Sequence, residues 1–206
     1  MRGAPILVLV ALLAGSLPVC ANGGRTAEGE GRPLGEPADA GKSASTHEEV
    51  TDSMRLTSDA FEDGGTIPRR HTCDDEDVSP ALEWEGVPEG SVSFALLVHD
   101  PDAPRGDWVH WVIYDIPGHF GGLPEDVGPA PRLEDLGEAA QGENDFGRIG
   151  WGGPCPPPGK PHRYVLTLTA LDVRLGLEPG ASREEVEEAA RDHVLATARL
   201  TGRYGR

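Results

Sequence analysis

Three ionisable residues sit at the ends of apolar runs: Asp100, closing "SVSFALLVHD"; His110, in "DWVHWVIYDI"; and His162, opening "HRYVLTLTAL". Side chains alternate across a strand, so each run can be sorted into faces. Val92, Phe94, Leu96 and Val98 share a face that ends in Asp100. Trp108, His110, Val112 and Tyr114 share a second, and His162, Tyr164, Leu166, Leu168 and Ala170 a third. Brought together, these ends make a cup of one carboxylate and two imidazoles. Imidazoles donate hydrogen bonds, more strongly when protonated, which suits a small anion such as phosphate. Asp100 would orient an imidazole or accept from an ammonium group. Pro101 and Pro104 stop the strand there, placing the cup at a sheet edge near solvent. Beside it runs "GWGGPCPPPGK", residues 150–160, where Gly permits close backbone approach and Pro stiffens the wall.

The elements that must position these residues are short. Residues 91–98, 107–116 and 162–171 are rich in β-branched and aromatic side chains and read as strands, with further strands in "MRLTSDAF" and "PALEW". Gly/Pro clusters such as "DPDAPRG" and "IPGHFGG" separate them. Residues 118–150 lack sustained periodicity and read as a long irregular loop, a kind of segment that is often functional. One helix stands out. "ASREEVEEAARDH" has Ser182 followed three residues later by Glu185, a capping box, and acids in its first turns, where the helix dipole favours them. Beyond it Val194, Ala196, Ala198 and Leu200 alternate with Leu195, Thr197, Arg199 and Thr201, so a last strand follows, with continued helix as the alternative. The expected fold is mostly antiparallel β, a sandwich with a C-terminal helix.

The 206 residues carry a net charge of −17. Such an acid excess argues against nucleic acid and against adhesion to an anionic membrane through surface charge. Residues 1–20, "MRGAPILVLVALLAGSLPVC", read as a signal peptide, with an apolar run too short to span a bilayer comfortably. "LPVC" resembles a lipoprotein signal with Cys20 as the lipidated residue, although Val19 departs from the small residue expected before it. Cleavage after Ala21 is the alternative. Membrane attachment would come only through that anchor. Residues 21–54 form a flexible acidic linker rich in Gly, Pro and Ser, with little to bury. Residues 55–206 form the folded domain. Once Cys20 is removed or acylated, Cys73 and Cys155 remain, a disulfide candidate in an exported protein, with two free thiols as the alternative.

"DVSPALEW" (77–84), "DPDAPRGDWVHWVIYDIP" (100–117), "GENDFGRIGWGGPCPPPGKPHRYVLTLTALD" (142–172) and "HVLATARLTGRYGR" (193–206) resemble the phosphatidylethanolamine-binding proteins, most closely the bacterial Raf kinase inhibitor-like branch. The resemblance implies a Greek-key β-sandwich with a small anion pocket. It places ligand-binding roles on Asp100, His110, Trp111, Gly153, Pro154, Pro156, Pro157, His162 and Tyr164. It implies no cofactor, no metal and no catalysis. The ligand would be a small phosphate-bearing molecule or lipid head group, with a protein target for inhibition left open and a homodimer compatible. Two other readings compete. One is an envelope hydrolase with a pocket His as general base; Cys155, Ser91 and Ser93 are weak nucleophile candidates, and a metal on Asp100, His110 and His162 has permissible ligand types. The other is a protease inhibitor acting through the 118–150 loop.

Overall fold

The computed structural model describes residues 53–206. The signal peptide, Cys20 and nearly all of the linker lie outside the described residues. In chain order the strands are β1 (Arg55–Thr57), β2 (Leu82–Glu85), β3 (Ser93–Asp100), β4 (Trp108–Pro117) and β5 (Gly122–Leu123). Then come β6 (Arg132–Leu133), β7 (Ala139–Gln141), β8 (His162–Leu171), the helix α1 (Arg183–Ala190) and β9 (Val194–Tyr204). They form two antiparallel sheets, β1-β2-β5 and β6-β7-β4-β3-β8-β9. Within the larger sheet the chain lays down β3, β4 and β7, then returns by a long connection to set β8 beside β3. That is the Greek-key order. The mostly-β sandwich with a late helix and a final strand is as the sequence implied.

Apolar periodicity explains the two layers. Phe94, Leu96 and Val98 of β3 and Leu166, Leu168 and Ala170 of β8 point between the sheets, meeting Leu56, Leu82 and Trp84. The opposite face of the larger sheet is covered by α1 through Val186 and Ala190, packed on Ala95, Val112 and Tyr114. Both faces of β3 and β4 are therefore apolar, which is why these segments read as nearly unbroken hydrophobic runs. The helix starts where its cap dictates. Ser182 Oγ accepts from the Glu185 amide, and the Glu185 carboxylate accepts from the Ser182 amide.

Strand β4 breaks the expected alternation. Trp111 pairs with Val98 and Val109 with His99, leaving His110 between them without a partner on β3. This β-bulge adds one residue and reverses the parity of residues 111–114. Trp108 and His110 keep one face, but Val112 and Tyr114 pack under α1, while Trp111 and Ile113 enter the inter-sheet core. The single face expected for Trp108, His110, Val112 and Tyr114 is corrected accordingly. A second irregularity opposite Ala95 holds Asp115 at φ 58°, its carboxylate accepting from the amides of Leu175 and Gly176.

Residues 118–150 are largely irregular but are not a free flap. They supply β5, β6 and β7, and they bury Leu123, Val127, Leu133 and Leu136 in the inter-sheet core. Gln141 holds the segment in place. Its amide donates to the carbonyls of Gly128 and Ala130, and its oxygen accepts from Trp111 Nε1 at 2.6 Å.

Candidate functional site

The C-terminal end of β3, the bulge of β4 and the first residues of β8 meet at one edge of the larger sheet. Asp100, His110, His162 and Tyr164 line a cavity of about 400 Å³ there. Pro156 and Pro157 form part of its wall, and Trp108 and Phe146 stand at its rim. The structure thus brings together six of the nine residues assigned to the site from sequence.

The other three lie behind the wall. Trp111 is fully buried in the core, edge-on to Trp151. Gly153 turns its amide onto Asp77 Oδ1 at 2.7 Å, and Pro154 accepts from the Cys73 amide at 3.2 Å. A glycine is required at 153 by packing: a Cβ there would lie 2.3 Å from Asp77 Oδ1 and 2.5 Å from the His71 carbonyl oxygen. Glycine's role at this position is close approach of protein to protein, and the ligand-wall reason is corrected. Cys73 and Cys155 are joined as a disulfide with Cα atoms 5.4 Å apart, pinning the 150–160 loop to the 69–75 turn.

The tautomers of both imidazoles follow from their partners. His110 Nδ1 faces the Gly152 carbonyl oxygen, which only accepts, so Nδ1 carries a proton. His162 Nδ1 lies 2.7 Å from Asp100 Oδ2, and the carboxylate fixes that ring in the same way. Both Nε2 atoms are left without a protein hydrogen bond among the described residues, on rings that line the cavity. Both oxygens of Asp100 are engaged, the other accepting from the Asp102 amide at 2.8 Å. Burial pushes the His110 pKa below its usual value, opposed by the Gly152 hydrogen bond and the charge of Asp100. The Tyr164 hydroxyl is buried without a hydrogen-bond partner; the Cys155 backbone lies close by without completing one. Burial first, and Asp100 next, raise its pKa far above the usual tyrosine range, so it stays a neutral phenol with a proton to donate.

Several cavity residues were not singled out in the sequence. Phe146 is 41% exposed, edge-on to both Trp108 and His110, with Arg148 over its ring. Its backbone is shaped by buried Asn144, which donates to the Gly150 carbonyl and accepts from the Phe146 amide. Arg105 and Arg206 add two guanidinium groups to the lining, beside Ala103, Pro104 and Cys155. Nothing periodic marks these positions. The available signal was an aromatic stranded in the Gly-rich "NDFGRIGWGG" and an Arg directly after Pro104.

The hydrolase nucleophiles do not converge on the cup. Cys155 is in a disulfide and offers no thiolate. Ser91 Oγ donates to the Pro88 carbonyl and Ser93 Oγ to that of Val173, and neither lines the cavity. Among the described residues no group of three or more His, Cys, Asp or Glu is arranged to hold a metal ion. A smaller apolar cavity of about 80 Å³ lies under α1; its charged residues, Arg183 and Glu187, are paired with each other.

The family described as phosphatidylethanolamine-binding protein matches residues 57–205. The chain belongs to this family. The UPF0098 protein of Methanothermobacter thermautotrophicus is 53% identical over 153 residues, covering 74% of this chain and 99% of the relative. The UPF0098 protein YbhB of Escherichia coli is 37% identical, covering 73% and 99%. Among solved structures, a phosphatidylethanolamine-binding protein homologue from Chlamydia trachomatis superposes with a TM-score of 0.69 at 38% identity, over 75% of this chain and 99% of that one. Escherichia coli YbcL, described as a member of the mammalian family, gives 0.70 at 36%, with the same coverage. Proteins of the phosphatidylethanolamine-binding family are generally non-catalytic binding proteins.

Proposed function

We propose that this protein is an exported binding module that holds a phosphate ester in the Asp100–His110–His162 cup. One observation carries the reading. Both imidazoles spend Nδ1 on protein acceptors, leaving both Nε2 atoms for a ligand beside the unpartnered Tyr164 hydroxyl. A phosphate oxygen is an acceptor that would satisfy a buried phenol at once, and each Nε2 once that ring takes up a proton. Trp108 and Phe146 at the rim offer apolar surface to the organic part of the ester. Export is supported by the pattern of residues 1–20 and by the Cys73–Cys155 bridge, since disulfides persist in oxidising compartments. Inhibition of a partner protein would follow from occupancy of the same cup.

The test is calorimetric titration of the chain with phosphate and phosphoethanolamine at pH 6 and pH 8, beside His110→Gln and Tyr164→Phe. Saturable binding that is stronger at pH 6 and weakened in both variants supports the cup. Equal binding in the wild type and both variants would place the ligand elsewhere.

A further inference from the structure

The Cys73–Cys155 bridge is not placed as a buried cross-link. Both cysteines are exposed, and Cys155 lines the cup. The two sulfurs have different electrostatic surroundings. Arg206 Nη1 lies 3.8 Å from Cys155 Sγ, and the guanidinium is held there by the Pro156 carbonyl at 3.4 Å and by Asp74 at 3.2 Å. Cys73 is followed by Asp74, Asp75 and Glu76. Arg206 answers the first and Arg70 the third, and Asp75 has no ion pair among the described residues. A thiolate is therefore favoured at Cys155 over Cys73.

That asymmetry decides how the bridge opens. In thiol–disulfide exchange the attacked sulfur keeps the incoming thiol and the other departs as a thiolate, the more acidic thiol leaving faster. Cys155 is then the leaving group, and Cys73 is the sulfur attacked. The segments that carry them are also joined by hydrogen bonds, from the Cys73 amide to the Pro154 carbonyl at 3.2 Å and from the Gly153 amide to Asp77 at 2.7 Å. The opened cysteines stay within reach of re-closure.

Resting on the reading of the cup as an anion site, we propose that the bridge is an exchange site for an external dithiol, whose action lowers the cup's affinity for anions by charge. One thiolate of the dithiol attacks Cys73 Sγ. A mixed disulfide forms there, the Cys73–Cys155 bond breaks, and its electron pair leaves on Cys155. The second thiol of the dithiol gives up its proton and attacks the first, forming the oxidised dithiol. Cys73 is released and takes up that proton, so two electrons have passed from the dithiol to the protein. The Cys155 thiolate is new negative charge in the wall of the cup. It claims Arg206 and repels a phosphate oxygen. Disulfides persist in oxidising compartments, so the bridged form is the resting one and the dithiol supplies the signal.

The experiment reads exchange first, without any ligand, on the full chain carrying Cys20→Ser so that no third thiol competes. Dithiothreitol is expected to reduce the bridge with the near-ultraviolet circular dichroism of the folded domain retained. Reduction only in denaturant overturns the exchange site. After 2-mercaptoethanol and rapid alkylation, peptide mass spectrometry should find the mixed disulfide on Cys73 and the alkyl group on Cys155. The reverse distribution overturns the order of the sulfurs. Arg206→Gln should slow reduction roughly tenfold, and Arg206→Lys, which keeps the charge, should restore most of the rate. A purely structural arginine predicts the opposite sign, so unchanged or faster reduction in Arg206→Gln overturns its role. Phosphate titration reads the second half. The reduced protein is expected to bind roughly tenfold more weakly than Cys73→Ser/Cys155→Ser, which lacks the bridge and the thiolate alike. Equal affinities overturn the charge effect. Failure of the cup reads differently, as no phosphate binding by the oxidised protein while the exchange results stand.

Discussion

His162 Nδ1 lies 2.7 Å from Asp100 Oδ2, a hydrogen bond that ties the start of β8 to the end of β3 at the floor of the cup. Asp100 is 3% exposed and also caps the turn that follows it through the Asp102 amide. Asp100→Ala removes the acceptor for both donors. Leaving buried donors unsatisfied costs about 1–3 kcal/mol, and a freed His162 ring loses its fixed tautomer. We expect a lower melting temperature and roughly tenfold weaker phosphate binding, the lower end of the loss seen when orienting partners are removed from metal-ligating histidines. Asp100→Asn keeps an oxygen for His162 and should recover most of the stability. Thermal unfolding and titration of the two variants check this, and an Asp100→Ala protein as stable as the wild type would count against it.

His110 supplies a pH dependence with a defined sign. Burial holds its pKa below the usual histidine value, so the His110 ring is neutral at pH 7. A neutral ring with its proton on Nδ1 presents a lone pair to the cavity and repels a phosphate oxygen. Binding must then recruit a proton to Nε2, raising the pKa in the complex. Affinity should increase as pH falls from about 8 towards 6. Titrations in two buffers of different ionisation enthalpy should show proton uptake, diminished in His110→Gln. No uptake would mean that the cup holds its ligand through neutral donors.

The extent to which the sequence foretold this site has a physical explanation. Asp100 and the alternating residues of β8 were legible because those strands keep strict alternation up to their ends. His110 lines the same cavity even though its strand does not. The bulge falls at His110 itself, so Trp108 and His110 keep their parity and only Trp111 to Tyr114 are reversed. A bulge depends on the partner strand, which a local pattern does not contain. Phe146, Arg105 and Arg206 were missed for a related reason: they reach the cavity from irregular segments, where tertiary hydrogen bonds such as those of Asn144 decide direction. Gly153 and Pro154 were legible as rigid wall, but their contacts face inwards to Asp77 and Cys73.

Asp102 predicts behaviour in acid. The Arg163 hydrogen bonds hold its pKa at about 2, against an opposing contribution from burial. A carboxylate depressed in the folded state contributes stability above its unfolded pKa and loses it as pH falls through the folded value. The window is therefore between about pH 4 and pH 2. The pair is well exposed, so solvent screening keeps the effect small. Asp102→Asn should melt below the wild type at pH 5, and the two curves should converge near pH 2. A difference that persists at pH 2 would mean that lost packing, and not charge, was responsible.

The disulfide joins the stability of the domain to the shape of its site. It closes a loop across 82 residues of sequence, and cross-links of such length stabilise by about 2–4 kcal/mol, chiefly by restricting the unfolded chain. Its second role is local. Cys155 lines the cavity, and Arg206 Nη1 approaches both Cys155 Sγ at 3.8 Å and the Pro156 carbonyl at 3.4 Å. Asp74, adjacent to Cys73, accepts from the Tyr204 hydroxyl at 2.6 Å and pairs with Arg206. Breaking the bridge therefore releases one wall of the cup and the anchor of a cavity arginine together. Cys73→Ser/Cys155→Ser should lower the denaturant midpoint and weaken phosphate binding at temperatures where the domain remains folded. Near-ultraviolet circular dichroism establishes that it is folded, and calorimetry reads the affinity. Reduced stability with unchanged affinity would show that the proline wall keeps its position without the bridge, confining the disulfide to a stabilising role.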